Sequence, residues 1–271
     1  MDAKLEEATA APEPGGRSGG GAAAVPALAC RDLVYAFGDR TAVDHLSFEV
    51  RPGEAYGLLG PNGAGKTTTI RLVCGMLDPD DGGVEVCGRS LRGRGGRAAR
   101  GLLRYVPQGL ALFPTLTLAE NLDFWARMYG IDRRTRAGAV RRALELVELT
   151  GRADDRAERT SGGMQRRLNL AVALLDEGAA LLVLDEPTVG VDAQSRAALI
   201  ETIGGLRDKG MAVLYTSHYF DEVERLCDRV GIIDHGRLVL EGSPAEVVAG
   251  GDGTADLQDL FLAVTGRDLR E

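Results

Sequence analysis

No stretch of this chain approaches the roughly 18 to 20 consecutive apolar residues that a membrane-spanning helix needs, so if the protein works at a membrane, another polypeptide must cross it. A positive charge balance is also missing. The chain sets 32 Lys and Arg against 40 Asp and Glu, a formal charge of -8, with a pI near 5.1. That argues against a nucleic-acid binder working through a broad basic surface, which must neutralise many phosphates at once. Lysine is scarce, present only as Lys4, Lys66 and Lys209. The four cysteines, Cys30, Cys74, Cys87 and Cys227, lack CxxC or histidine-linked metal spacing, and no cleavable signal peptide opens the chain. They are expected to be reduced cytosolic thiols, packed as small hydrophobes. Sustained heptads are absent, which excludes a long coiled coil. What remains is an ordinary globular composition: 271 residues, 44% apolar, enough for a sizeable core in one large domain or two modest ones.

The stretch around which the rest is organised is Gly60-Pro61-Asn62-Gly63-Ala64-Gly65-Lys66-Thr67-Thr68. It has GxxxxGK[ST] spacing, follows a short apolar run at 55–59 and precedes a helix-compatible segment at 68–74, the strand-loop-helix setting of a phosphate-binding loop. Glycines at 60, 63 and 65 let the backbone curl so that consecutive N–H groups face an anion at the positive end of a helix. Lys66 supplies a charge to the β- and γ-phosphates, and the Thr67 hydroxyl is a hard ligand for Mg²⁺. A chance match in a chain this long has a probability of about one in a hundred.

Residues 1 to about 26 are rich in Ala, Gly, Pro and Glu without apolar period, and are expected to form a disordered tail. Segments 28–37 and 46–50 read as strands around a turn at 38–40, with Tyr35 and Phe37 at the end of the first. A turn at 78–83, a strand at 84–87, an Arg- and Gly-rich surface loop at 90–101 and a strand at 102–106 follow. Between Gln108 and about Gly178 the pattern is helical. Thr117 and Glu120 have capping-box spacing, and Val140, Leu144 and Val147 form one apolar stripe. In that region Ser161-Gly162-Gly163 opens another helix, either as a plain capped start or as a second anion site.

The apolar strand 181–184 delivers Asp185 and Glu186 at its carboxyl end, where nucleotide chemistry sits in a parallel sheet. Asp185 suits a metal ion and Glu186 the attacking water. A helix over 193–208 follows Asp192, and a strand at 211–216 ends in Ser217-His218. A helix at 219–226, a hairpin over 229–241, a short helix at 244–249, a glycine-rich linker at 250–253 and a weak helix near 257–264 complete the chain.

In this order the pieces resemble the ATP-binding cassette family over roughly residues 28–249. The matching parts are the Walker A loop at 60–68, a glutamine loop at Gln108, the Ser161-Gly162-Gly163 signature, Walker B ending at Asp185 with Glu186 beside it, the D-loop at Asp192 and the switch histidine His218. The signature's first position, often Leu in the family, is Thr160 here. The resemblance implies an α/β fold: a P-loop NTPase core with a mixed sheet flanked by helices, an N-terminal antiparallel β region, and a helical subdomain inserted at about 109–178. The cassette would span 27–249, with 250–271 a short extension.

The resemblance also implies ATP and Mg²⁺ as ligands and a head-to-tail dimer in which each ATP lies between the Walker A loop of one copy and the signature of the other. Tyr35 would stack on adenine, with Phe37 the second choice. Thr67, Gln108 and Asp185 would serve the metal, Glu186 would be the base, His218 would contact the γ-phosphate, and Asp192 would communicate across the dimer. With Glu186 and His218 present, both sites of a homodimer should be hydrolytic. The stretches 56–70, 116–130 and 216–242 look most like the separate ATPase subunits of exporters for drugs, antibiotics, lipids or polysaccharides. Such a subunit would sit on the cytoplasmic face of the cell membrane, docked through its helical insert on a multi-spanning permease. The other reading is a soluble cassette ATPase acting on ribosomes, on DNA or as an assembly factor. The single P-loop, the missing heptads and the acidic balance disfavour it.

Overall fold

In a computed structural model, residues 25–176, 178–251 and 255–266 are described; the expected tail lies, up to residue 24, outside them, as do 252–254 of the linker region. Strands β1 (Leu28–Phe37) and β2 (Arg40–Val50) are followed by β3 (Ala55–Leu59) and helix α1 (Lys66–Val73). Next come β4 (Asp81–Val86), the two-residue β5 (Arg89–Ser90), α2 (Gly96–Gly101) and β6 (Leu103–Val106). The helical stretch consists of α3 (Leu118–Met128), α4 (Arg133–Leu146) and α5 (Gly162–Ala173). The chain then runs through β7 (Leu181–Asp185), α6 (Ala193–Asp208), β8 (Ala212–Thr216) and α7 (Phe220–Leu226). It ends with β9 (Arg229–Asp234), β10 (Arg237–Gly242), α8 (Pro244–Gly250) and α9 (Leu257–Thr265).

Two sheets form. One is antiparallel, ordered β2-β1-β4-β5; the other is ordered β10-β9-β3-β8-β7-β6, parallel except for β10 at its edge. Strands β3, β7 and β8 are buried at every residue, which is why they read as unbroken apolar runs: both sheet faces are covered. Period-two alternation sorts their side chains between two cores. Leu181 and Val183 of β7 and Ala212 and Leu214 of β8 face α1 and the antiparallel sheet. Leu182 and Leu184, with Val213 and Tyr215, face the helices on the other side. The order β3-β8-β7 sets the carboxyl ends of three neighbouring strands side by side. It thereby gathers the glycine-rich loop, Ser217-His218 and Asp185-Glu186 at one end of the sheet.

The helical stretch has no core of its own. Leu118 and Leu122 of α3, Leu144 of α4 and Leu168 of α5 belong to the same buried cluster as Leu182 and Leu184 of the sheet. Its first helix starts as the sequence predicts. Thr117 Oγ1 accepts the Glu120 N–H at 3.1 Å while Glu120 Oε2 accepts the Thr117 N–H at 2.8 Å.

Two expectations need correction. The 90–101 segment is not simply a loop, because α2 forms where Ala99 is buried beneath β6 and β4; a six-residue helix with one anchor leaves no readable period. The turn at 78–83 is shorter than expected, since Asp81 and Gly83 already pair with Val34 and Arg31 of β1. Sheet pairing there overrides the turn propensity of Asp and Gly.

Candidate functional site

The phosphate-binding geometry starts at Gly65, the residue capping α1. Its φ of 108° lies in the region that side chains avoid, and a Cβ there would sit 2.4 Å from the Ala42 carbonyl oxygen. The loop can therefore press against β2 and leave the first turn of α1 facing a cavity of about 360 Å³. Pro61, Asn62, Gly63, Gly65, Lys66, Thr67 and Thr68 line one side of it, Glu186 closes another, and Phe37, Arg40 and Ala42 form the wall from β1 and β2. Backbone N–H groups at a positive helix end, together with a lysine, suit a polyphosphate. Lys66 is buried, and its ammonium donates to the carbonyls of Gly60 and of Pro61, the latter at 3.1 Å. Burial lowers its pKa, and the charges of Glu186 and Asp185 oppose that shift. Phosphate oxygens offer the ammonium stronger acceptors than these carbonyls do.

Gln108, Glu186 and His218 come from three separate segments and meet. Gln108 Nε2 donates to Glu186 Oε2 at 2.8 Å, and His218 Nε2 lies 2.5 Å from Glu186 Oε1. Glu186 holds a φ of 49°, an uncommon conformation for a residue with a side chain, and such strain recurs at functional sites. It is held there by its own N–H, which donates to Thr216 Oγ1 at 3.0 Å. His218 Nδ1 is buried without a hydrogen-bond partner among the described residues.

Asp185 stands beside this group, 3.1 Å from Thr216 Oγ1 and accepting from the Tyr105 hydroxyl at 3.4 Å. Burial raises its pKa above the usual aspartate range, with the Thr216 hydrogen bond opposing. Among the described residues no group of three His, Cys, Asp or Glu could hold a metal ion unaided. The donor set of Thr67, Asp185 and the Gln108 side-chain amide oxygen is nonetheless all oxygen, with one buried carboxylate in it. That fits Mg²⁺, which usually takes one or two protein ligands and completes its shell with phosphates and water.

Several expected residues take other places. Tyr35 does not line the cavity; Phe37 does, half exposed, with Tyr35 packed against it at a centroid distance of 4.9 Å. The residue next to the open turn is the one free to meet a ligand, while the one two places earlier is pulled onto the core. Gly60 and Ala64 also lie off the cavity wall. A Cβ on Gly60 would strike the Ile233 carbonyl oxygen at 2.4 Å, and Ala64 is buried in the core. Gly60 still contributes its carbonyl to Lys66.

Ser161, Gly162, Gly163 and Asp192 do not line this cavity either. Ser161 Oγ accepts the Met164 N–H at 3.2 Å, a capped helix start. Gly163 lies so close to α6 that a Cβ would fall 2.3 Å from Ser195 Cβ. Asp192 caps α6 by accepting the Ser195 N–H at 3.0 Å, which depresses its pKa. The signature and the D-loop thus abut each other and present a second, separate face.

Sequence reasoning missed Arg40, Tyr105, Thr216 and Arg166. Arg166 of α5 donates to the Gln108 carbonyl and, at 3.1 Å, to the Val189 carbonyl, tying the glutamine loop to the segment before Asp192. For Thr216 the available signal was its place directly before Ser217-His218, and for Tyr105 its place three residues before Gln108.

Comparison with known proteins gives the chain's relatives. A family model described as "ABC transporter" matches residues 43–189. The chain is 45% identical over 227 residues to the linearmycin resistance ATP-binding protein LnrL of Bacillus subtilis (strain 168), covering 83% of this chain and 72% of that one. It is 42% identical over 225 residues to the Nod factor export ATP-binding protein I of Paraburkholderia xenovorans (strain LB400), covering 83% and 73%. A solved structure of an ATP-binding subunit of an ABC transporter superposes with a TM-score of 0.76 at 29% identity, covering 88% of this chain and 98% of that one.

Proposed function

This chain belongs to the ATP-binding cassette transporter family and is an ATPase, and from that premise we propose that it is the motor subunit of an exporter whose permease is a separate polypeptide. The observation that carries the reading is the meeting of Gln108 and His218 on Glu186, the carboxylate that lines the Lys66 cavity, a constellation suited to activating water against a γ-phosphate. Relatives named for linearmycin resistance and Nod factor export favour outward transport of a drug-, antibiotic-, lipid- or polysaccharide-type cargo over a soluble, non-transport role. Among the described residues no helix is long and apolar enough to cross a membrane, in keeping with a subunit held at the cytoplasmic face by its partner.

In this reading Phe37 carries the adenine, and the Pro61 to Thr68 loop with Lys66 holds the β- and γ-phosphates. Thr67, Asp185 and Gln108 would hold Mg²⁺, which supplies charge neutralisation to the phosphates. Glu186 takes the proton of the attacking water, and His218 holds Glu186 in place and reaches the γ-phosphate. Ser161, Gly162 and Gly163 complete the site of a second copy, with Asp192 at the seam. Two copies are required, because the signature face and the Lys66 cavity of one chain are separate.

The exposed apolar residues Leu110, Phe113, Met128 and Tyr129 all belong to the helical insert, and we assign the permease contact to them. Arg166 then ties the glutamine loop, next to Leu110, to the segment before Asp192. ATPase turnover of Glu186→Gln is the direct test: a loss of about 10²- to 10⁴-fold is expected for removal of a general base, and undiminished turnover would remove Glu186 from the role. Purification from membranes should recover a polytopic partner; recovery of ribosomes instead would sink the transport reading.

A further inference from the structure

Behind His218 lies a carboxylate that none of the assigned steps uses. Glu222, in the first turn of α7, is 2% exposed. Its Oε2 accepts the hydroxyls of Thr188 at 2.9 Å, Tyr215 at 2.7 Å and Ser217 at 2.6 Å. Its Oε1 lies 3.3 Å from Arg196 Nε. The four partners come from three segments. Thr188 is two residues after Glu186, Tyr215 is in β8, Ser217 immediately precedes His218, and Arg196 is in the first turn of α6, four residues after Asp192.

The clamp also grips the far side of His218. Ser217 Oγ accepts the Tyr219 N–H at 3.0 Å, and the Arg196 guanidinium lies 3.9 Å from the centre of the Tyr219 ring. Burying an acidic side chain is costly unless its partners compensate, so packing alone would be served better by a hydrophobe. Tyr215, whose pKa is driven up by burial and by Glu222, remains a hydroxyl donor throughout the physiological range.

We propose that Glu222 is a positioning residue for ATP hydrolysis, bolting the turn after Glu186, the loop carrying His218 and the helix headed by Asp192 into one rigid unit. It touches neither nucleotide nor water. It acts by keeping His218 Nε2 on Glu186, and it therefore rests on the roles given above to those two residues. The loops bearing the base, the switch histidine and the D-loop would then move together, so that ATP contact at one half-site is felt at the dimer seam.

Glu222→Gln keeps the size but cannot satisfy the site. With its oxygen toward the three hydroxyls, its amide hydrogens face the Arg196 guanidinium; turned over, they face the hydroxyl donors. The expected result is a fall in kcat of about tenfold or more, since small misplacement of reacting groups is costly. KM and the affinity for a fluorescent ATP analogue should stay within about twofold, because the Lys66 loop is untouched. In a His218→Ala background the same change should add nothing, because it acts through His218. Additive losses, a loss confined to KM, or wild-type turnover would overturn the proposal. If Glu222→Gln fails to fold, Ser217→Ala decides: a loss in kcat with an unchanged melting temperature supports the clamp, and unchanged kcat overturns it. Wild-type turnover of His218→Ala itself would instead overturn the assignment of the site.

Discussion

Asp185 shows how one residue trades stability for chemistry. Its pKa is raised, chiefly by burial, so the folded chain binds its proton more tightly than the unfolded chain does. Its contribution is therefore most favourable at acid pH and is lost as pH rises from the ordinary aspartate value through the raised one. At neutral pH the charged form is a cost that metal binding would recover. Asp185→Asn is expected to raise the melting temperature at neutral pH, with the gain shrinking toward about pH 4, while ATPase activity falls; an unchanged or lower neutral melting temperature would contradict this. Gly163 makes a different demand, since its Cβ would collide with Ser195. Gly163→Ala should destabilise by about 1–3 kcal/mol through overpacking. Adding Ser195→Gly, which removes the colliding atoms, should restore much of that loss, a coupling readable by denaturant titration.

Elements act here by what their ends present. Strands β3, β7 and β8 are buried along their length, and the chemistry gathers at or after their carboxyl ends: the Lys66 loop after β3, Asp185 and Glu186 at the end of β7, Thr216 to His218 at the end of β8. Helix α3 works through both ends. Its start is fixed by the Thr117–Glu120 capping box, and Thr117→Ala should cost about 1 kcal/mol, seen as a drop of about 2–4 °C in melting temperature, without changing the ATPase rate of the isolated chain. Its far end exposes Met128 and Tyr129. Met128→Glu is expected to leave fold and basal ATPase intact and to weaken co-purification with the permease by about tenfold or more; undiminished recovery would move the docking surface elsewhere.

At the scale of the whole molecule, the Lys66 cavity and the Ser161–Gly163 face of one chain lie apart, and the proposed head-to-tail dimer is what would join them. Lys66→Ala is expected to abolish ATP-driven closure in both half-sites of the dimer, checked by light scattering with and without ATP; normal nucleotide-dependent dimerisation would refute the head-to-tail arrangement. Much of this was legible in the sequence, because the phosphate loop, the Asp185-Glu186 pair and the capping box are local: backbone geometry, helix polarity and strand ends impose residue types at fixed spacings. The unbroken apolar runs of β3 and β7 were legible too, because a strand covered on both faces is apolar at successive positions. The tertiary structure alone decided what depends on which distant segments meet. It set Phe37 rather than Tyr35 on the cavity wall, folded α2 from a glycine- and arginine-rich stretch, and brought the Tyr105 hydroxyl to Asp185 across 80 positions of sequence. It also closed three segments around Glu222. No spacing rule reaches across such separations, because the strand order β3-β8-β7, and not distance along the chain, determines which side chains become neighbours.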